Sequence, residues 1–415
     1  MSLPLSLALY RAATTALQPV VPALLKARAK KGKEDPARLN ERLARPSRAR
    51  PDGPLVWLHG ASVGESLSIL PLVERLRVER PEVAVLVTSG TLTSAALLAQ
   101  RLPAGAFHQY VPVDTPAGAR RFLDHWRPSL AVFVESELWP NLLLTARARG
   151  VKLALVSAKL SDRSYRGWQA RPVAAGRLFG GFDLILAQDG RAAERLSSLG
   201  GTVSGEADLK FGSAPLPVDA SALSALRSAR DAAPLLLAAS THPGEEAMIL
   251  DALPVGARMI IAPRHPERGA TVEDLAAGKG LSVNRRSTGG GPFDARVHVA
   301  DTLGELGLWF AVADLALIGG SLIAGVGGHN PLEPARLGCP IVSGPHVENW
   351  LTAYAELGDV GGVTHADASV LDVRLIDLLA TPDALKAQAD RAQTFVAGRD
   401  AEARAGLSRI LELVP

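Results

Sequence analysis

From residue 54 onward, short runs of apolar residues alternate with stretches of helical periodicity, and this constrains the fold more than any other feature of the chain. "LVWLH" (55–59), "VAVLVTS" (83–89), "LAVFVES" (130–136), "KLALVSA" (152–158) and "DLILAQ" (183–188) form a first series; "PLLLAAS", "RMIIAPRH", "LALIGGS" and "PIVSGP" form a second. Near-continuous apolar runs are strands buried on both faces, and helices between them imply parallel sheets covered on both sides. "GSAPLPVDASALSALRSARDAAP" (212–234), rich in Pro, Ala and Ser, separates the two series. The expectation is an α/β chain of two Rossmann-like, doubly wound domains facing a central cleft. The first runs over 51–211, then comes a linker at 212–233. The second, 234–415, ends in a long helix that caps it or crosses back to the first. A chain of 415 residues suits two such domains.

Residues 1–50 stand apart. They hold eleven Lys/Arg against three Asp/Glu, a net +8 that leaves −5 for the remainder of a chain with overall charge +3. Leu3, Leu7, Tyr10, Thr14, Leu17, Val21 and Leu24 recur at helical steps, followed by "KARAKKGK". Residues 1–33 therefore suit an interfacial helix, its basic cluster adding roughly 1 kcal/mol per cation near an anionic membrane surface. A helix packed on its own domain and a single membrane span are the alternatives. The basic excess is terminal and lacks interleaved aromatics, so no nucleic-acid partner is expected. Cys339 is the only cysteine, which excludes an intrachain disulfide and a thiolate zinc cluster. No His pair brackets a carboxylate at ligand spacing, and neither a P-loop nor a G-x-G-x-x-G follows a strand; no metal and no cofactor are expected.

In doubly wound sheets, ligands bind at the C-terminal ends of the strands. Five strand-end loops therefore carry the candidate chemistry: "HGASVGE", "ESELWPN", "ASTHPGEE", "APRHPERG" and "GGHNPLEPARLG". Ser62 and Glu65 fit a capping box, with Gly64 between them; the same Glu65 carboxylate at a strand end can instead serve as a base toward a substrate hydroxyl. Glu135 and Glu137 would point to opposite faces if their strand continued through them, so only one faces the cleft without a bend. Trp139, Pro140 and Asn141 suit the shaping of that loop. Asn330, Pro331 and Glu333 form a helix start whose free amides suit a phosphate. Arg264, His265 and Arg268 follow another strand and offer guanidiniums to an anion. Ser240 and Thr241 are caps or phosphate donors. Lys210, near the junction, is placed to meet negative charge on the donor side. Gly319, Gly320 and Ser321 let backbone approach a ligand.

Together "KGKED", "HGASVGE", "ESELWPN", "PRHPER" and "GGHNPLEPA", in this order, resemble the 3-deoxy-D-manno-octulosonic acid (Kdo) transferase family. The chain departs from the usual pattern at "GEADLKFG", with Ala where Asn is usual, and in a longer "LIAGVGGHN" loop. The resemblance implies an inverting, metal-independent glycosyltransferase of the two-Rossmann-domain (GT-B) kind. It would move Kdo from CMP-Kdo to a lipid A precursor at the cytoplasmic face of the bacterial inner membrane, the N-terminal domain taking the acceptor and the C-terminal domain the donor. It places the general base at Glu65, makes the Glu135/Glu137 motif functionally required, puts Glu333 on the ribose hydroxyls with Asn330 close by, and sets backbone around Gly304 against the cytosine. The rival readings are another GT-B enzyme, a UDP-sugar transferase or epimerase, and a non-catalytic lipid- or nucleotide-binding membrane protein.

Overall fold

Along β1 (Leu55–His59), successive side chains enter two different cores. Leu55 and Trp57 join Phe122, Phe133, Leu142 and Phe179, while Val56 and Leu58 join Ile69, Leu72, Val87 and Val132. That two-sided burial is the reason the strand reads as an unbroken apolar run. The computed structural model describes residues 3–136, 138–212 and 215–415; Glu137, expected among the catalytic carboxylates, lies outside the described residues. The chain divides into two compact units, Met1–Ser213 with Arg399–Pro415, and Ala214–Gly398.

In the first unit, β1 is followed by β2 (Ala84–Ser89), β3 (Ala106–Tyr110), β4 (Leu130–Val134), β5 (Lys152–Ala158), β6 (Leu184–Ala187) and β7 (Val203–Glu206). They form one parallel sheet in the order β3-β2-β1-β4-β5-β6-β7. The second unit has β8 (Leu235–Thr241), β9 (Arg258–Pro263), β10 (Val283–Arg285), β11 (Val297–Val299), β12 (Leu315–Ile318), β13 (Ile341–Ser343) and β14 (Thr364–His365), ordered β10-β11-β9-β8-β12-β13-β14. Strand order reverses between β1 and β4 in one sheet and between β8 and β12 in the other. These are the points where such sheets open a crevice for ligand.

Two boundaries differ from expectation, and the terminal helix takes one of the two courses expected of it. The stretch 212–233 is not a bare linker: it carries the helix Ala220–Ala229, capped by Asp219, which groups with the second unit. Residues 399–415 belong to the first unit, where Leu407, Ile410, Leu411 and Val414 pack with Val56 and Leu58. Residues 1–50 are likewise part of that unit. Their helices, Leu5–Leu17 and Val21–Lys30, are split by a 3-10 turn at Gln18–Val20 that contains Pro19. The expected stripe divides. Leu7 and Val21 are buried with Leu25, Tyr10 donates to Asp114 at 3.0 Å and Thr14 accepts from Asn141 at 3.1 Å, whereas Leu17 and Leu24 face outward. With Leu5, Leu9 and Val20 they form an apolar face, each more than half exposed. Part of the basic excess is internal, because the buried Glu34 pairs with Arg28 and Arg42, and the buried Glu41 with Arg38. Among the described residues no helix is long and apolar enough to cross a membrane.

Candidate functional site

At the switch point of the first sheet, the loop after β1 turns into the helix Val63–Glu79. Ser62 is its N-cap, its Oγ accepting from the Glu65 amide at 3.3 Å. Glu65, only 8% exposed, reaches back: Oε1 accepts from the Ser62 hydroxyl and Oε2 from the Ala61 amide, each at 2.8 Å. The capping box is thus formed, through Ala61 N–H where the Ser62 amide was the expected donor. These two bonds fix the orientation of the Glu65 carboxylate. Gly64 lies in the first turn of the same helix.

The loop after β4 meets this one. Trp139 donates its indole N–H to His59 Nε2 at 3.2 Å, and His59 Nδ1 is bonded to Thr88 Oγ1 at 2.9 Å, which makes the proton reside on Nδ1. Asn141 anchors the loop: its amide N–H and that of Leu142 donate to the buried Asp114 at 3.0 and 2.8 Å. Burial raises the Asp114 carboxyl pKa against those bonds. Glu135 does not continue the strand. Its φ of +59° is a left-handed conformation that costs a non-glycine residue of order 1–3 kcal/mol. The bend delivers its carboxylate to Lys159 at 2.9 Å and Lys210 at 3.3 Å. Lys210, expected to meet negative charge on the donor side, lies in the first unit and is ion-paired with Glu135.

The switch point of the second sheet is organised around Glu245, which sequence reading missed. Fully buried, Glu245 accepts from the amides of His242 (3.0 Å), Gly320 (2.7 Å), Ser321 (3.0 Å) and Leu322 (2.9 Å). The Gly320 and Ser321 amides, expected to receive a ligand, are thus engaged by an internal carboxylate. Ser321 is wholly buried, its hydroxyl bonded to Ile318 O. The glycines there serve close packing: a Cβ at Gly319 would lie 2.5 Å from Ser240 O, and one at Gly320, whose φ is +68°, would lie 2.7 Å from Val326. Thr241 is also turned inward, donating to Glu246 at 3.0 Å, and Glu246 holds Arg268 in an ion pair. Ser240 has a left-handed φ of +59° at the strand end, a second strained non-glycine residue at a candidate loop.

Around that frame stand the groups still open to a ligand. His242 and His329 stack at 5.0 Å with Nε2 atoms 2.8 Å apart, and His265 meets His242 edge-on at 6.1 Å. Burial, with His242, Arg264 and His265 nearby, pushes His329 down to about 4, and burial lowers His242 as well. Arg264 and His265 are exposed. Asn330 caps as expected, accepting from Leu332 N–H at 3.0 Å and donating to Glu333 at 3.2 Å. The helix it starts, Leu332–Arg336, has five residues, too few for the dipole that a phosphate seat was expected to use. Burial raises the Glu333 carboxyl pKa, opposed by Asn330, Arg336 and Arg264. Gly304 lies on an exposed turn with φ of +87°, beside Glu305, which pairs with Arg286 at 2.7 Å. Among the described residues no group of three or more His, Cys, Asp or Glu is arranged to hold a metal ion.

His59 and Asp114 were also missed. His59 is the one polar residue of an apolar strand, a legible signal; nothing near Asp114 in sequence announces its partners.

Two doubly wound parallel units, with polar loops gathered where each strand order reverses, define a two-Rossmann-domain (GT-B) glycosyltransferase fold. MurG from Acinetobacter baumannii shares it over 87% of this chain and 100% of its own, at TM-score 0.55 and 14% identity. Residues 37–213 match the family described as 3-Deoxy-D-manno-octulosonic-acid transferase (kdotransferase). The 3-deoxy-D-manno-octulosonic acid transferase of Rickettsia felis is 35% identical over 346 residues, covering 81% of this chain and 74% of that one. The C-terminal CMP-Kdo binding domain of WaaA from Acinetobacter baumannii is 36% identical, over 41% of this chain and 94% of that domain, at TM-score 0.39. The chain belongs to the Kdo transferase family.

Proposed function

We propose that this protein moves Kdo from CMP-Kdo to a lipid A precursor, with inversion and without a metal, at the cytoplasmic face of the bacterial inner membrane. The observation that carries the reading is Glu65: a carboxylate oriented by Ala61 N–H and the Ser62 hydroxyl, at the strand-order reversal of a chain in the Kdo transferase family. Glu65 takes the proton of a glucosamine hydroxyl as its oxygen attacks C2 of Kdo, and the C2–phosphate bond breaks to release CMP. Arg264 and His265 stabilise the charge that develops on the departing phosphate. Asn330 and Glu333 hold the ribose, and backbone at Gly304 meets the cytosine. Glu135, neutralised by Lys159 and Lys210, positions the acceptor loop and is not the base.

The test is transfer from CMP-Kdo, generated in situ, to a tetraacylated lipid A precursor with EDTA present, products resolved by mass. One or more added Kdo units are expected, and Glu65→Gln should lower turnover by roughly 10²–10⁴-fold with CMP binding retained. Near-normal turnover of that variant removes Glu65 from the role of base, and loss of product on adding EDTA removes metal independence.

A further inference from the structure

The loop after β4 borders more than the sheet. With the first helix and the helix Asp162–Gln169 it encloses a cavity of about 620 Å³ within the first unit, walled by Leu7, Leu138, Trp139, Pro140 and Trp168. That volume lies in the ~300–1,000 Å³ range of ligand pockets, and apolar walls with few polar groups are their usual lining. Three observations point to its occupant. Trp139, one wall, is the residue whose indole N–H holds His59, so the cavity and the loop bearing Glu65 share one hydrogen-bonded frame. Leu7 and Tyr10, another wall, belong to the helix whose opposite side turns Leu5 and Leu9 outward, so one helix carries both a wall of the cavity and an exposed apolar face. Among the described residues the charged ones lining it are Arg163 and Arg171, both cations. Among the described residues Arg163 makes no ion pair, and Arg171 donates to the Gly167 carbonyl at 2.7 Å.

We infer that this cavity receives an acyl chain of the acceptor lipid, with Arg163 and Arg171 binding the anionic part of its headgroup. Leu7, Leu138, Trp139, Pro140 and Trp168 offer a hydrocarbon chain apolar surface to bury, with Ser6, Ser161 and Ser164 among the polar groups beside them. Two guanidiniums beside apolar surface, neither in an ion pair among the described residues, match a molecule that is acidic at one end and hydrocarbon at the other. The inference rests on the acceptor assigned under the proposed function and adds the place where that acceptor's chain is held.

Gly167 supplies the test, because it lines the cavity and a Cβ there meets no atom within 4 Å. Gly167→Trp should fill the space with the fold intact. The expected result is a rise in KM for the tetraacylated precursor of at least about tenfold, with activity on the fully deacylated sugar phosphate and stabilisation by CMP unchanged. Binding of cis-parinaric acid, followed by its fluorescence, should be lost in parallel, and Arg163→Glu with Arg171→Glu should weaken the phosphorylated acceptor more than one lacking phosphate. Equal loss on acylated and deacylated acceptors, or an unchanged KM, overturns the assignment. Loss of vesicle binding at unchanged KM in detergent makes the occupant a membrane phospholipid and overturns it too. Absence of transfer by the unaltered protein while parinaric acid still binds overturns the acceptor reading and with it the identity of the chain, leaving only a hydrocarbon pocket.

Discussion

Single side chains in this protein do two jobs, and the structure separates them. Glu65 is both a helix cap and the proposed base, and sequence alone could not weight the two because the S-x-x-E pattern satisfies the first on its own. Glu245 shows the opposite case: its carboxylate takes four internal amides, and two of them, those of Gly320 and Ser321, were expected to face a ligand. His108 is likewise internal. It is bonded to Ser89 at 2.9 Å and to Arg38 at 3.1 Å, and burial followed by the Arg38 charge pushes it down to about 3. Because the native state keeps His108 neutral while the unfolded chain protonates near pH 6.5, its contribution is present above that pH and is lost progressively toward pH 3. Denaturant titrations at pH 7 and pH 5 should show His108→Gln losing about 2 kcal/mol less than the unaltered protein over that interval. An identical loss in both would place the acid sensitivity elsewhere.

Among the elements, the long strands buried on both faces were legible, whereas the sheet-edge strands and the buried but three-residue β11 were not. The nine apolar runs are strands, but β3, β7, β10, β11 and β14 were not read. β3 alternates, with His108 and Gln109 tied to Arg38 and Glu41. β10 and β14 span only three and two residues. Edge strands need neither apolar character on both faces nor length, so they leave little trace in composition. In the N-terminal helices the expected stripe does not stay on one face: Leu7 and Val21 are inward and Leu17 and Leu24 outward. Their exposed apolar face, with Lys26, Lys30, Lys31 and Lys33 exposed after it, is the membrane-binding surface in the proposed function. Replacing Leu9 and Leu17 by Asp should cut co-sedimentation with vesicles containing phosphatidylglycerol by at least about tenfold. Raising the salt should weaken the unaltered protein's binding as well. Binding that survives both changes would assign the attachment to another surface.

For the whole molecule, the discriminating ligand is the nucleotide. In the proposed function CMP stabilises the protein and UDP does not, and at a hundredfold excess over Kd the gain is about 2.7 kcal/mol, read as a rise in Tm. Stabilisation by UDP alone would favour the rival UDP-sugar enzyme. Because Glu333 is raised by burial and the ribose needs its ionised form, CMP affinity should fall as pH drops through that raised value. By itself the sequence determined the two-sided apolar strands, hence two doubly wound sheets, together with the loops at their ends and the family those loops belong to. These follow from local pattern, which side-chain alternation and turn chemistry write directly into the chain. Only the tertiary structure decided that residues 399–415 complete the first unit, that Lys210 serves Glu135, and that Glu245 takes the amides meant for a ligand. Each of these joins residues far apart along the chain, and the free energy that selects such a partner arises from burial and hydrogen bonding that exist only after folding.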